Sequence, residues 1–249
     1  RYIPTAKAPR PTLTIRKNIF AETVSNLKLI HTYPIVWKSI LGATWFWTVG
    51  ALILTQIFPL CSQVLNVKQH VITFFLLLFS IGVGVGSVSC NKLLKGVVSA
   101  VYVPLTSLAM AVCGLIFYFL TKNYQAPSES FGLVAFLLNG GIALSVCMFA
   151  MAFFGGLYIV PLNAFIQTYA PKSCTASVIA GNNIVNSFGM AVISIISAGL
   201  LSMGFSIPSL FLFIAVMSLI VSVYIMQLLS HETLKSVLRI ILSPLFHIR

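Results

Sequence analysis

Six apolar runs, at roughly residues 35–60, 70–90, 96–120, 131–169, 176–203 and 207–229, dominate this chain. A helix rises about 1.5 Å per residue and a bilayer core is about 30 Å thick, so about 20 apolar residues cross it. Each run reaches that length. Backbone amides and carbonyls in lipid must be satisfied within the segment itself, and the sequence therefore predicts helices rather than isolated strands. Only 7% of the 249 residues are charged and 59% are hydrophobic, against about 25% charged in soluble domains. The expected fold class is an all-α membrane protein with six transmembrane helices.

The few charges narrow the chemistry. Three residues are acidic, Glu22, Glu129 and Glu232, and there is no Asp. Paired-carboxylate catalysis would have to draw on those three distant positions, so no catalytic residues and no enzymatic activity are expected. Cys61, Cys90, Cys113, Cys147 and Cys174 stand singly, without a CxxC and without metal-ligand spacing to the four histidines; they read as small core hydrophobes, with no metal and no cofactor. The net charge of +12 is distributed by topology and is not a nucleic-acid footprint. Seven of the fifteen cations lie within the first 38 residues, Lys92, Lys95 and Lys172 fall in alternate loops, and Lys235, Arg239 and Arg249 fall in the tail. The remaining loops hold Lys68 and Lys122. Thirteen cations against two predict that both ends face the cytoplasm.

Three regions follow. Residues 1–33, with Pro4, Pro9 and Pro11 among the cations, read as a basic cytoplasmic linker whose later part has apolar residues at near-helical spacing, suited to a membrane surface. Residues 34–229 form the six-span region. Residues 230–249 place Leu234, Val237, Leu238, Ile241 and Leu245 on one face, an interfacial amphipathic helix rather than a seventh span. The start at Arg1 and the interruption of this last pattern at Arg249 lead to the expectation of a longer protein. The fourth run is too long for one perpendicular helix, and Asn139-Gly140-Gly141 is its expected break. Pro161 predicts a kink in the helix that follows.

Polar groups inside the runs are the candidate site. Asn182, Asn183 and Asn186 fall within an arc of about 100° on a helix, a stripe that either joins helices or touches a headgroup. Asn163 and Gln167 lie one turn apart after Pro161, with Gln167 near the cytoplasmic interface. Trp45, Trp47, Thr48 and Gln56 sit in the first span; Trp45 and Trp47 point to different faces about ten residues inside it. The substrate-binding set expected is Asn163, Gln167, Asn182, Asn183, Asn186, Trp45 and Gln56, with Lys92 and Lys95 in a cytoplasmic loop. Gly82 and Gly86 form a GxxxG pair suited to close helix packing; a phosphate-binding loop would need a following soluble helix, which this sequence lacks. No span carries a charge well inside it, so the sequence offers no proton or sodium relay at depth.

The stretches Gly42-Ala-Thr-Trp-Phe-Trp47, Leu54-Thr-Gln-Ile-Phe-Pro59, Leu78-Phe-Ser-Ile-Gly-Val-Gly-Val-Gly-Ser87, Phe154-Gly-Gly-Leu-Tyr-Ile-Val-Pro-Leu-Asn-Ala-Phe-Ile-Gln167 and Ala180-Gly-Asn-Asn-Ile-Val-Asn186 resemble the C-terminal half of bacterial lysophospholipid transporters. These are major facilitator superfamily carriers, and the chain is similar particularly to those fused to an acyl-ACP synthetase and acyltransferase. The resemblance extends over nearly the whole chain. It departs at the loop after the second run, where Gly86-Ser-Val-Ser-Cys-Asn91-Lys92 lacks the superfamily's acidic residue. The acyltransferase His-x4-Asp motif is also absent, for want of any Asp.

The resemblance implies one half of a major facilitator fold in a bacterial inner membrane, moving lysophospholipid such as 2-acyl-lysophosphatidylethanolamine to the cytoplasmic leaflet for reacylation. Its implied partners are that lipid, the surrounding membrane lipids, an N-terminal six-helix half and a fused acyltransferase domain. The competing expectations are a general small-solute or drug carrier of the same superfamily, and a membrane anchor for an attached acyltransferase.

Overall fold

The computed structural model describes residues 18–94 and 102–228, and among these every regular element is a helix. α1 spans Ile19–His31, α2 Pro34–Pro59, α3 Gln69–Leu94, α4 Val103–Lys122, α5 Leu133–Phe136, α6 Ile142–Tyr169, α7 Thr175–Ser202 and α8 Ile207–Leu228. Six helical segments are long and apolar enough to cross a membrane. The chain is a multi-pass membrane protein, as its hydropathy predicts. Lys95 and the amphipathic tail pattern, with Lys235 and Arg239, lie outside the described residues.

The boundaries follow local chemistry. Pro34 opens α2 in the first turn, where its missing N–H removes no intrahelical bond. The residues after Pro59 continue α2 as one wider turn, Leu60–Val64. The fourth run breaks where expected: Asn139 and Gly140 leave helical geometry, and Gly140 takes φ +92°, a conformation open to glycine at little cost. Ser145 Oγ donates to the Gly141 carbonyl at 2.7 Å, one turn back in its own helix, which satisfies its hydroxyl inside the apolar span. α6 runs through the buried Pro161 without interruption to Tyr169.

The linker region contributes an element of the bundle. Asn18 caps α1 by accepting from the Ala21 amide at 3.0 Å, and Ile30 at its other end is fully buried. The Ile30 side chain fills the space above Gly181 of α7, where a Cβ would collide with it.

At the opposite end two loops are tied together. Phe131 pairs with Val67 in an isolated bridge, with Lys68 N donating to Phe131 O at 2.9 Å and Phe131 N to Asn66 O at 3.2 Å. Asn66 adds a bond from Nδ2 to the Pro127 carbonyl at 2.7 Å, and the Leu133 amide donates to His70 Nε2 at 2.9 Å.

Packing between the spans follows a permutation. α2 lies on α7, α3 on α6, α4 on α8, and α2 on α6. Exchanging α2 with α6, α3 with α7 and α4 with α8 carries the α2–α7 contact onto α6–α3, and leaves α4–α8 and α2–α6 unchanged. The α4–α6 contact maps in the same way onto the weaker one between α8 and α2. Three spans form each set, and three is odd. The second set therefore enters the membrane from the side opposite the first, the arrangement of an inverted-topology repeat.

Glycines permit the closest approach. A Cβ on Gly86 would strike the Phe153 carbonyl, and one on Gly156 would strike the Val83 carbonyl. One on Gly82 would lie 2.7 Å from Ala152 Cβ. The GxxxG pair thus joins α3 to α6 backbone to backbone, as predicted. Gly84, on the other face, meets nothing within 4 Å. The outer faces of the spans carry exposed Phe58, Leu77, Val88, Phe119 and Ile195.

Candidate functional site: a polar level within the bundle

Depth along each span sorts the polar side chains. At about 1.5 Å per residue, Thr44 lies about 15 Å from the start of α2. Asn186 is at a similar distance into α7, and Tyr158 and Ser218 are equally far from the ends of α6 and α8. All four measure from the same end of the bundle, the one carrying α1. They therefore stand near the middle of a core about 30 Å thick.

Hydrogen bonds link this level. The Thr44 hydroxyl donates to Asn186 Oδ1 at 2.8 Å and stands 2.9 Å from the Ile40 carbonyl; its single proton serves one acceptor at a time. Trp45 Nε1 donates to Ser218 Oγ at 3.1 Å. Tyr158, fully buried, donates its hydroxyl proton to the Gly42 carbonyl at 2.9 Å. Gly42 is closely covered here, since a Cβ there would sit 3.1 Å from Leu162 Cδ1 and 3.4 Å from the Tyr158 hydroxyl. α2 is thus bonded to α6, α7 and α8 within five residues of its own length. A second pair of bonds joins α4 to α8, from Ser107 Oγ to the Ser218 carbonyl at 3.2 Å and from Ser222 Oγ to the Pro104 carbonyl at 2.8 Å.

Between α2 and α8 this level opens into a cavity of about 200 Å³, lined by Leu41, Gly42, Thr44, Trp45, Thr48, Val221 and Tyr224. Its polar groups are hydroxyls and an indole; no charged side chain lines it. Such a lining can hold neutral or internally compensated dipoles. It holds an isolated ion poorly, because burying an unpaired charge is far more costly than burying a hydrogen-bonded hydroxyl.

The structure divides the expected site residues between levels. Trp45 and Asn186 belong to the mid-depth set, Asn186 being 5% exposed. Asn182 lies one turn nearer the α1 end, and its Oδ1 is buried without a hydrogen-bond partner. Asn163 stands at a comparable depth on α6 and is half-buried, while Asn183 and Gln167 are exposed. α6 and α7 touch only marginally, and α2 packs against both. Gln56 is far away, about 33 Å along α2, 7% exposed and with Oε1 unpartnered. Lys92 is exposed at the end of α3. Trp47 is exposed on the outer surface of α2, and Thr48 joins Trp45 in lining the cavity.

Thr44, Tyr158, Ser218 and Gly42 were not among the residues expected from sequence. Tyr158 offered a signal, a phenol in the middle of an apolar run, since a buried tyrosine hydroxyl usually needs a partner. The serines offered little, because Ser80 and Ser194 satisfy themselves on the carbonyls of Leu76 and Met190 in their own helices.

Among the described residues no three His, Cys, Asp or Glu side chains gather in a way that could hold a metal ion. Outside the spans, burial pushes the Tyr124 phenol up from its ordinary range. Compared with known proteins, the chain matches no family model, no curated protein and no solved structure.

Proposed function

We propose that this chain is one half of a membrane carrier for lysophospholipid, of the major facilitator type that its sequence resembles, with both ends cytoplasmic in a bacterial inner membrane. The observation that carries the reading is the exchange-related packing of two three-helix sets around an uncharged polar level at mid-depth. Carriers built from inverted repeats place their substrate sites near the bilayer midplane, at the interface between repeats. α2 and α6, the first spans of the two sets, meet there through Tyr158 and Gly42.

A zwitterionic headgroup brings its own compensating charges and needs amide, hydroxyl and indole partners. Its acyl chain can remain in lipid. The lining of Thr44, Trp45, Thr48 and Tyr224 supplies partners of that kind, with Asn186 behind Thr44 fixing the hydroxyl. The chain's own residues supply no acyltransferase chemistry in this reading, which assigns reacylation to an attached domain.

The test is flipping of fluorescent lysophosphatidylethanolamine in proteoliposomes. The chain alone should be inactive, and activity should appear when an N-terminal six-helix half is supplied with it. Flipping by the isolated chain would overturn the half-carrier reading. Transport of water-soluble solutes in place of lysophospholipid would favour a general carrier, and unchanged flipping in cells lacking this segment would favour an anchor.

A further inference from the structure

A second cavity lies away from the mid-depth level, at the end of the bundle opposite α1. It is an open groove of about 670 Å³ between the end of α4, the loop that follows it and the broken start of α6. Its apolar wall is Ile116, Phe119, Leu120, Phe131, Ala143 and Leu144, and its polar wall is Asn123, Tyr124, Gln125 and Asn139. Three features of this space point to one class of ligand.

The first is where it opens. Ile116 and Phe119 belong to the membrane-spanning part of α4 and are 46% and 52% exposed. The mouth therefore meets lipid on one side and the loop Asn123–Phe131 on the other. A ligand that fits must be amphipathic, with its polar end toward the loop.

The second is the polar wall, which is neutral. Asn123, Gln125, Asn139 and Tyr124 line it with no charged side chain among them, and the neighbouring stretch carries one cation, Lys122, and one anion, Glu129. Tyr124 walls the cavity, and its buried hydroxyl has no partner among the described residues. Asn139 Nδ2 is held by the Ala135 carbonyl at 2.8 Å, which leaves its side-chain oxygen to accept.

The third is size. At about 30 Å³ per water-sized group, the space takes about 22 non-hydrogen groups, enough for a headgroup, glycerol and the first part of one chain. Its volume falls within the roughly 300–1,000 Å³ usual for small-ligand sites. A second chain would have to lie outside.

We infer that this cavity is a specific site for a single-chain zwitterionic phospholipid drawn from the leaflet at that end, with the chain along Phe119, Leu120 and Leu144 and the headgroup against Asn123, Gln125 and Asn139. The ligand class rests on the carrier reading above, while the site itself does not require that the chain transport anything. The non-helical Asn139-Gly140 step forms part of its wall.

The experiment is saturation photolabelling of the full chain in liposomes, using lysophosphatidylethanolamine with a diazirine on its acyl chain and mass-spectrometric mapping. Labelling should saturate, concentrate on residues 116–124 and 139–144, and be displaced by unlabelled lysophosphatidylethanolamine. Diacyl phosphatidylethanolamine and lysophosphatidylglycerol should displace it poorly. Ala143→Trp fills the cavity and should abolish the saturable component, whereas Leu77→Trp on the exposed face of α3 should leave it intact. If Ala143→Trp fails to fold, Gln125→Leu in the exposed loop serves instead, with half-saturation weakened about three- to tenfold, the range one neutral hydrogen bond carries.

Unsaturable labelling spread over all lipid faces, equal displacement by diacyl lipid, or indifference to both cavity substitutions would overturn the site. Saturable labelling in a protein that never flips lipid even with its other half would retain the site and remove the carrier reading. Flipping without saturable labelling here would do the reverse.

Discussion

Asn186 illustrates how little a polar residue in a span discloses until its neighbour is known. Its amide stands in hydrocarbon, where an unanswered polar group is costly, and Thr44 of α2 answers it at 2.8 Å. Bonds of this kind between membrane helices average about 0.6 kcal/mol, because the separated helices also find partners. A double-mutant cycle of Thr44→Val and Asn186→Leu, followed by unfolding in detergent, should therefore give a coupling of about 0.6 kcal/mol. Additive single effects would mean that the two side chains do not interact in the folded protein. Asn186→Leu should also lower lysophospholipid flipping by the assembled carrier by more than this small stability loss explains, because it frees the Thr44 hydroxyl that lines the cavity. Unchanged flipping per folded molecule would reduce Asn186 to a helix-joining role.

The residue scale also shows where sequence reading stops. The three asparagines of α7 share an arc, and that arc was legible from spacing alone. Their fates differ because α2 covers the arc unevenly: Asn186 is buried and bonded, Asn182 is partly buried with an unanswered oxygen, and Asn183 is exposed. Periodicity fixes direction around one helix and carries no information on which neighbour lies opposite. Gln56 was grouped with Trp45 because both are polar-capable residues of the same span, yet eleven residues of rise place them about 16 Å apart along it.

At the scale of the element, span number, the break at residues 139–141 and the role of Gly86 could all be read beforehand, since each depends on local chemistry. The described α4 begins at Val103, with Pro104 in its first turn, a position that proline favours; the opening of the third apolar run, residues 96–101, lies outside the described residues. Gly86 and Gly84 provide a direct test of the packing. Both belong to the same Gly-Val-Gly-Val-Gly stretch, but only Gly86 meets a carbonyl of α6. Gly86→Leu and Gly156→Leu should sharply reduce the monodisperse fraction in size-exclusion chromatography after detergent extraction, while Gly84→Leu should leave it nearly unchanged. Equal damage from Gly84→Leu would show that this helix face is covered in the folded protein.

At the scale of the whole molecule the repeat is visible only in packing. Hydropathy alone does not pair residues 34–122 with 133–228, because outward-facing positions in a span accept many apolar side chains and few positions constrain identity. The contacts retain what the letters do not: α2 and α6 occupy equivalent places, and the polar level forms where they meet. This symmetry also gives each loop a definite side. α3 and α6 run toward the α1 end, so Lys92 and Lys172 share it, and Lys122 stands at the other.

The distribution of charge predicts the orientation in the membrane, and a labelling experiment tests it. Lys92, Lys122 and Lys172 are all exposed, and the five native cysteines, four of them buried, can be replaced by alanine to give a silent background. Single cysteines at Lys92 and Lys172 should react with a membrane-impermeant maleimide only from the cytoplasmic side, and one at Lys122 only from outside, as thirteen cations against two require. If Lys172 were to label with Lys122, a span would be miscounted and the exchange of the two three-helix sets could not hold. If all three were reversed together, the bundle would stand but face the other way. The cavity between α4 and α6 would then open to the cytoplasmic leaflet, so the same three cysteines also determine which leaflet supplies its lipid.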